Sequence, residues 1–332
     1  MKRVITYTLL STLIVGIMSG CGNSGKSKEK KDELKGEITI SGAFALYPLV
    51  VKWADEFKQA NPAVRIDISA GGAGKGMTDV LSDMVDLGMV SREVYATEIE
   101  KGAFAIGVAI DAVVPTLNAN NPLLNELLQK GLTREMAKEF WMKEKNWTWE
   151  EFLGRKGNTS AHIFTRSDAC GAAETYAAWM GGKQEDLTGT AVFGDPGLAM
   201  AVQKDILGTG YNNLGYAYDE KTRKPNQDLV IFPIDVNGNG QIDPEESFYE
   251  TKDDVIKAIA EGKYPSPPAR ELYLVSKGKP VKPEVLAFLK YILTKGQELN
   301  IPLGYISITQ DKLDASLSKL GIEQQTETKE EK

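Results

Sequence analysis

The chain has 332 residues, 42% of them hydrophobic and 26% charged, which is enough for two lobes of ordinary domain size and a sizeable core. The formal net charge of −7 weighs against a nucleic-acid partner, since such proteins carry a basic patch or stripe. It leaves room for a local positive site and an anionic ligand.

In chain order, Lys2 and Arg3 precede an apolar stretch too short for a comfortable membrane span. It ends at Met18-Ser19-Gly20-Cys21, which resembles a lipoprotein signal; the plainer alternative is an ordinary signal peptide with a chance cysteine. On the lipoprotein reading, residues 1–20 are removed and Cys21 carries the lipid. Residues 21–36 and 321–332 are polar and charged, and they read as a disordered tether and tail.

The folded body then begins near Glu37. EITISGA alternates and predicts a strand; Leu49, Val50, Trp53, Ala54 and Phe57 fall at helical spacing; Asn61-Pro62 ends that helix. VRIDISA is a second strand, GGAGKG a glycine-rich turn, MTDVLSDMV a second helix and DLGMVS a third strand. This order implies a parallel sheet with helices on both faces. In such sheets, ligands sit at the carboxyl ends of the strands beside helix N-termini. The segment RSDACGAAETY (166–176), after the strand AHIFT, occupies that kind of position, as do the loops GAFALYP, GGAGKGMT and SRE. Free N–H groups at several such termini make an anion site without a metal.

Four of these segments, GAFALYPL, GGAGKGM, VDLGMVSRE and RSDACGAAET, resemble in order and spacing the periplasmic phosphate-binding proteins of ABC transporters. GTGYNNLGYAY, YPSPPARELYLVSKG and FLKYILTKGQELNIPLGYI extend the likeness over about 37–315. The resemblance implies an α/β, two-lobed flytrap fold with mixed, mainly parallel sheets and the ligand between the lobes. The first lobe would span 37–112 and 264–320, the second 113–263. It also implies an ABC transporter permease as partner, with the chain acting as a lipid-anchored monomer in the cell envelope and not as an enzyme.

Carried over residue by residue, the ligand contacts would be Ala45, Leu46, Ala73, Gly74, Ser91, Arg92, Arg166, Asp168, Cys170, Gly171 and Ala172. The family usually places hydroxyl residues where Ala45, Ala73, Cys170 and Ala172 stand, and those hydroxyls donate to phosphate. Here they are methyls and a thiol, and a thiol is a weak donor. Backbone amides at Leu46, Gly74, Gly171 and Ala172 would remain. So would Arg166, whose planar fork suits an oxyanion, with Asp168 to orient it. Ser91 takes the place where some members use an aspartate as proton acceptor. Phosphate leads as ligand, while another anion, a sensor role or a Cys170 hydrolase stay open.

The thiol has two plainer readings, a cleft lining or a buried filler. A phosphatase loop of the C-x5-R type would need arginine where Tyr176 stands, and His162 on the preceding strand is the chain's one histidine. SAGGAGKGMT fails as a nucleotide-binding loop, because Ser69 and Gly76 stand where it needs glycine and a hydroxyl around Lys75.

DVNGNGQIDPEE (235–246) matches a calcium loop of the EF-hand type. Asp235, Asn237, Asn239, Asp243 and Glu246 supply side-chain oxygens, Gln241 its carbonyl, and Gly240 the sharp turn. A strand precedes it, so the loop is isolated rather than part of a paired EF-hand; the resembled family does not include it, so it is read as an insertion with a structural calcium. The alternative is an Asn-Gly-rich surface turn with coincidental acids.

Overall fold

The computed structural model describes residues 33–322. The signal-like segment, Cys21, most of the tether and nearly all of the tail lie outside the described residues. Nine strands are described: β1 Gly36–Gly42, β2 Val64–Ala70, β3 Leu87–Val90, β4 Ala103–Asn118, β5 His162–Arg166, β6 Thr190–Val192, β7 Gly208–Asn213, β8 Leu229–Ile231 and β9 Ala269–Lys277. They join in the order β2-β1-β3-β9-β4-β7-β5-β6, with β8 also on β4. Pairing is parallel at the two ends, β2-β1-β3 and β7-β5-β6, and antiparallel through the middle, where β9 and β4 run.

Apolar burial divides into two principal clusters, and a small third one packs near the second. The first is built by residues 38–109 and 272–320, and the second by 112–269. β4 contributes Ile106 and Ala109 to the first cluster and Ala112 to Val114 to the second, so this 16-residue strand crosses between two lobes. β9 accompanies it in register, with Asp111 opposite Arg270 at the crossing.

Local sequence explains the elements that carry the site. The helix Tyr47–Ala60 carries Pro48 in its first turn, buries the predicted stripe from Leu49 to Phe57, and ends where Asn61 Nδ2 donates to the Phe57 carbonyl at 3.0 Å. Trp53, fully buried, donates its indole N–H to Gly296 O at 2.8 Å and so ties this helix to the C-terminal part of the lobe. The glycine-rich stretch is not a turn ahead of the next helix, as its composition predicts. The helix runs Ala73–Leu81 and includes Gly74 and Gly76. A Cβ on Gly76 would lie 2.6 Å from Met89 O, and one on Gly74 2.7 Å from the Ala169 side chain. The glycines therefore let this helix lie against β3 and against the other lobe, and packing overrides their poor helix propensity.

An anion site between the lobes

The loops after β1 and β3, the start of the helix Ala73–Leu81 and the segment after β5 meet between the lobes. Gly74 N donates to Ala169 O at 3.2 Å across the cleft. Gly72 has φ 93°, and a Cβ there would stand 2.8 Å from Ala169 O; one on Gly171 would stand 2.2 Å from both the carbonyl and hydroxyl oxygens of Ser91. Tyr216 donates to Phe44 O at 3.3 Å and Tyr305 to Ala45 O at 2.7 Å. Beside these loops lies a cavity of about 650 Å³ lined from both lobes, by Arg92, Tyr95 and Tyr273 on one side and Glu174 and Thr175 on the other, with Arg270 at the crossing.

Arg166 ends β5, and its side chain is fully buried. Asp168, two residues on, takes both Nε and Nη2 at 2.8 and 2.6 Å, the bidentate pairing that orients the fork as predicted from sequence. Asp168 is itself held by Gly194 N at 3.0 Å. The third nitrogen, Nη1, is paired with Asp195 Oδ2 at 2.7 Å, so carboxylates flank the guanidinium on two sides. Burial opposes the Arg166 charge, but Asp195 and Asp168 outweigh it and hold the guanidinium protonated.

The partners continue inward. Asn213 Nδ2 donates to Asp195 Oδ1 at 2.5 Å. Arg270 Nη2 donates to Asn213 Oδ1, and Nη1 to Gly171 O at 2.9 Å. Arg270 lies 3.7 Å from Asp111, which is fully buried beside it. Burial pushes Asp111 up to about 6 despite Arg270, and pushes Asp195 up despite Arg166. Asp195, Asn213, Arg270 and Asp111 were not singled out from sequence. Each comes from a different segment, and only the register of β4 with β9 and the packing of the helix Gly194–Lys204 bring them to Arg166.

The other expected contacts are placed unevenly. Ala45, Leu46 and Ala73 are buried beside the cleft, but two of the amides expected to face a ligand are engaged elsewhere. Leu46 N donates to Ala43 O at 3.2 Å, closing its own turn, and Gly74 N bridges the lobes. The Arg92 fork pairs bidentately with Glu98 at 2.9 and 2.7 Å, at the wall of the cavity. Gly171 and Ala172 open the helix Gly171–Trp179, where first-turn amides have no intrahelical acceptor.

Cys170 is the N-cap of that helix, its sulfur accepting from Ala173 N at 3.4 Å, and burial pushes its thiol up to about 12. A protonated, capping thiol is a poor nucleophile. His162 lies at the far end of β5 from this thiol, with Nδ1 2.6 Å from Asp205 Oδ2. Lys75 forms an ion pair with Asp79, which also accepts from Ser41 at 2.7 Å.

The loop 235–246 sits apart from this cleft. Asp235 accepts from Gly238 N and Gly240 N at 2.7 and 2.8 Å, and Glu246 from Val236 N and Asn237 N at 2.8 and 3.1 Å. Asp243 is turned to the Asn237, Asn239 and Gln241 amides. Ile242 N donates to Gln129 O at 2.9 Å, so a neighbouring segment of the same lobe braces the loop. Among the described residues no three carboxylate, histidine or cysteine groups are gathered closely enough to hold a metal ion. The oxygen-rich donor set suits a hard cation, but the carboxylates are bonded to the loop itself.

A family model described as the PBP superfamily domain matches residues 27–295. The chain belongs to the PBP superfamily. Its fold agrees with that of solved relatives. A structure described as a phosphate ABC transporter substrate-binding protein with bound phosphate, from Clostridium perfringens, is 20% identical with a TM-score of 0.66, covering 82% of this chain and 100% of that one. An ABC-type phosphate transport receptor from Vibrio cholerae is 18% identical with a TM-score of 0.60, over 82% of this chain and 100% of that one. Among curated relatives, phosphate-binding protein PstS of Bacillus subtilis is 27% identical over 94% of this chain and 96% of its own length. Phosphate-binding protein PstS of Pseudomonas aeruginosa is 26% identical over 89% and 90%. The architecture is the two-lobed α/β one of this superfamily. Among the described residues no helix is long and apolar enough to cross a membrane.

Proposed function

We propose that this protein captures phosphate between its lobes and delivers it to an ABC transporter permease. The observation that carries the reading is Arg166, a fully buried guanidinium at the carboxyl end of β5, oriented by Asp168 and flanked by Asp195 where the lobes meet. A planar guanidinium so placed suits a tetrahedral oxyanion. The curated relatives that span nearly the whole chain are named as phosphate-binding proteins, which selects phosphate among oxyanions. Thermal melting against a panel of oxyanions tests it. Phosphate should raise the melting temperature most, and a larger rise with an unrelated anion would count against phosphate.

The MSGC sequence at 18–21 supports a lipid anchor on Cys21 and a place in the cell envelope. Changing Cys21→Ser should release the chain from the detergent phase of a phase-separation assay; retention equal to wild type would exclude the anchor.

The loop 235–246 is proposed to bind calcium through Asp235, Asn237, Asn239, Asp243 and Glu246, with the Gln241 carbonyl. The carboxylates of Asp235 and Glu246 that accept loop amides keep further lone pairs for a cation. Calcium at ~10 mM should raise the melting temperature by a few degrees, since it binds only the folded loop. Asp235→Ala should remove the rise, and its persistence in that variant would place the ion elsewhere.

A further inference from the structure

Phe44 lies in the loop between β1 and the helix Tyr47–Ala60, yet the second lobe grips it through both ring and backbone. The ring meets Phe193 edge to face, with centroids 6.2 Å apart and planes at 85°. The Arg166 guanidinium carbon stands 5.7 Å from the ring centre. Gly194 leaves room for the ring tip: its φ is 75°, which favours glycine, and a Cβ there would stand 3.4 Å from Phe44 Cζ. The Tyr216 hydroxyl donates to the Phe44 carbonyl at 3.3 Å. Neither Phe44 nor Phe193 belongs to the apolar core of its own lobe, and Phe193 is 63% exposed.

Rings that stay out of their own cores but meet across a cleft are accounted for by the contact between them. An edge-to-face pair is attractive beyond the area it buries. The cation beside Phe44 adds a weaker attraction at this distance. A larger consequence concerns water. Phe44 stands against Arg166 from the first lobe, and the Arg166 side chain has no exposed surface. A guanidinium shielded from water pairs more strongly with an oxyanion. All of these contacts join one lobe to the other, so they form as the lobes close and must break before a ligand leaves.

We infer that Phe44 is a positioning residue of phosphate capture: its ring plugs into a socket formed by Phe193, Gly194 and Arg166 on the opposite lobe, keeps water from the guanidinium and sets how slowly the ligand leaves. This rests on the reading of the cleft as a phosphate site. It assigns the closing contact to side chains that themselves touch no ligand oxygen, and it gives the exposed Phe193 ring a role in the closed state.

Phosphorus exchange NMR on the purified protein with phosphate measures the release rate, and calorimetry on the same samples measures the dissociation constant. Phe193→Ala should speed release by about 2- to 10-fold, the value of one edge-to-face pair. Phe44→Ala, which also removes the contact to Arg166, should speed it by about 10-fold or more. The association rate, obtained from the two measurements together, should stay within about threefold of wild type, because the rings meet after the ligand has entered. A Phe44 that only supported the first lobe would not be coupled to Phe193. The double variant should therefore release phosphate no faster than Phe44→Ala alone. Release rates unchanged in both single variants, or effects that multiply in the double variant, overturn the inference while leaving phosphate capture intact. Phe193 is mostly exposed, so Phe193→Ala carries the test if Phe44→Ala fails to fold. If wild type binds no phosphate, phosphate capture itself falls, and the inference with it.

Discussion

Phosphate affinity should fall by about 2–5 kcal/mol when Arg166 is replaced by alanine, because the ligand would lose its desolvated charge partner. That exceeds what the altered hydroxyl positions cost. Each missing hydroxyl at Ala45, Ala73, Cys170 and Ala172 is worth about 0.5–1.5 kcal/mol, if nothing else donates in its place. A site that has exchanged four such donors can still bind if the guanidinium remains, whereas the reverse exchange cannot. The same replacement strips the partner from Asp168 and Asp195, so it should also destabilise the fold by about 3–5 kcal/mol. The two effects separate in the double variant Arg166→Ala with Asp195→Asn, which removes one of the stranded charges. Denaturant melts should show part of the stability regained, and calorimetry should show phosphate binding still lost. Binding restored in the double variant would mean that Arg166 serves only to hold the fold.

Arg270→Met should cost about 3–5 kcal/mol of stability near neutral pH, with the loss shrinking towards pH 5. Arg270 is buried on the crossing strand, where it neutralises Asp111, orients Asn213 and donates to Gly171 O. Methionine fills similar volume but takes the guanidinium from Asp111, leaving that buried carboxylate the weaker pull of Lys252. The pH dependence follows from the direction of the Asp111 shift. Burial raises its folded value to about 6, above the ordinary carboxylate range, so protonation favours the folded state. Its stability contribution is fully present below the unfolded value and is lost as pH rises through the folded one. Without Arg270 the folded value climbs further and the penalty at neutral pH grows. Urea melts of wild type and variant at pH 5 and pH 7.5 measure this. A variant penalty that is equal at both values, or below about 1 kcal/mol, would show that the Asp111–Arg270 pair is not the stabilising element proposed.

Much of the first lobe was legible in the sequence because its elements repeat with clean periods. The strand predicted at VRIDISA spans the observed Val64–Ala70, and the stripe from Leu49 to Phe57 is the buried face of Tyr47–Ala60. The glycine-rich stretch misled, since glycine there serves close approach to Met89 O and Ala169 rather than a turn. β4 gave no alternation to read, being buried on both faces through its second half.

The site divides the same way. Arg166 and Asp168 are two residues apart at a strand end, and their pairing follows from local sequence. Asp195 stands in GDPG, which reads as a helix start, and Asn213 and Arg270 sit in separate strands, 57 residues apart in sequence. No short-range pattern links them, because what joins them is the strand order β9-β4-β7-β5. The Arg92 pairing was not legible either: the helix Ala96–Glu100 brings Glu98 back to its fork, a contact that depends on a loop conformation rather than on residue type.

The most direct measurement is calorimetric titration of the purified protein with phosphate, beside Arg166→Ala under the same conditions. One phosphate should bind per wild-type chain, with a dissociation constant on the order of micromolar or tighter, and the variant should show little or no saturable heat. Absence of saturable phosphate binding by the wild type, with another anion binding in its place, would contradict phosphate capture at Arg166.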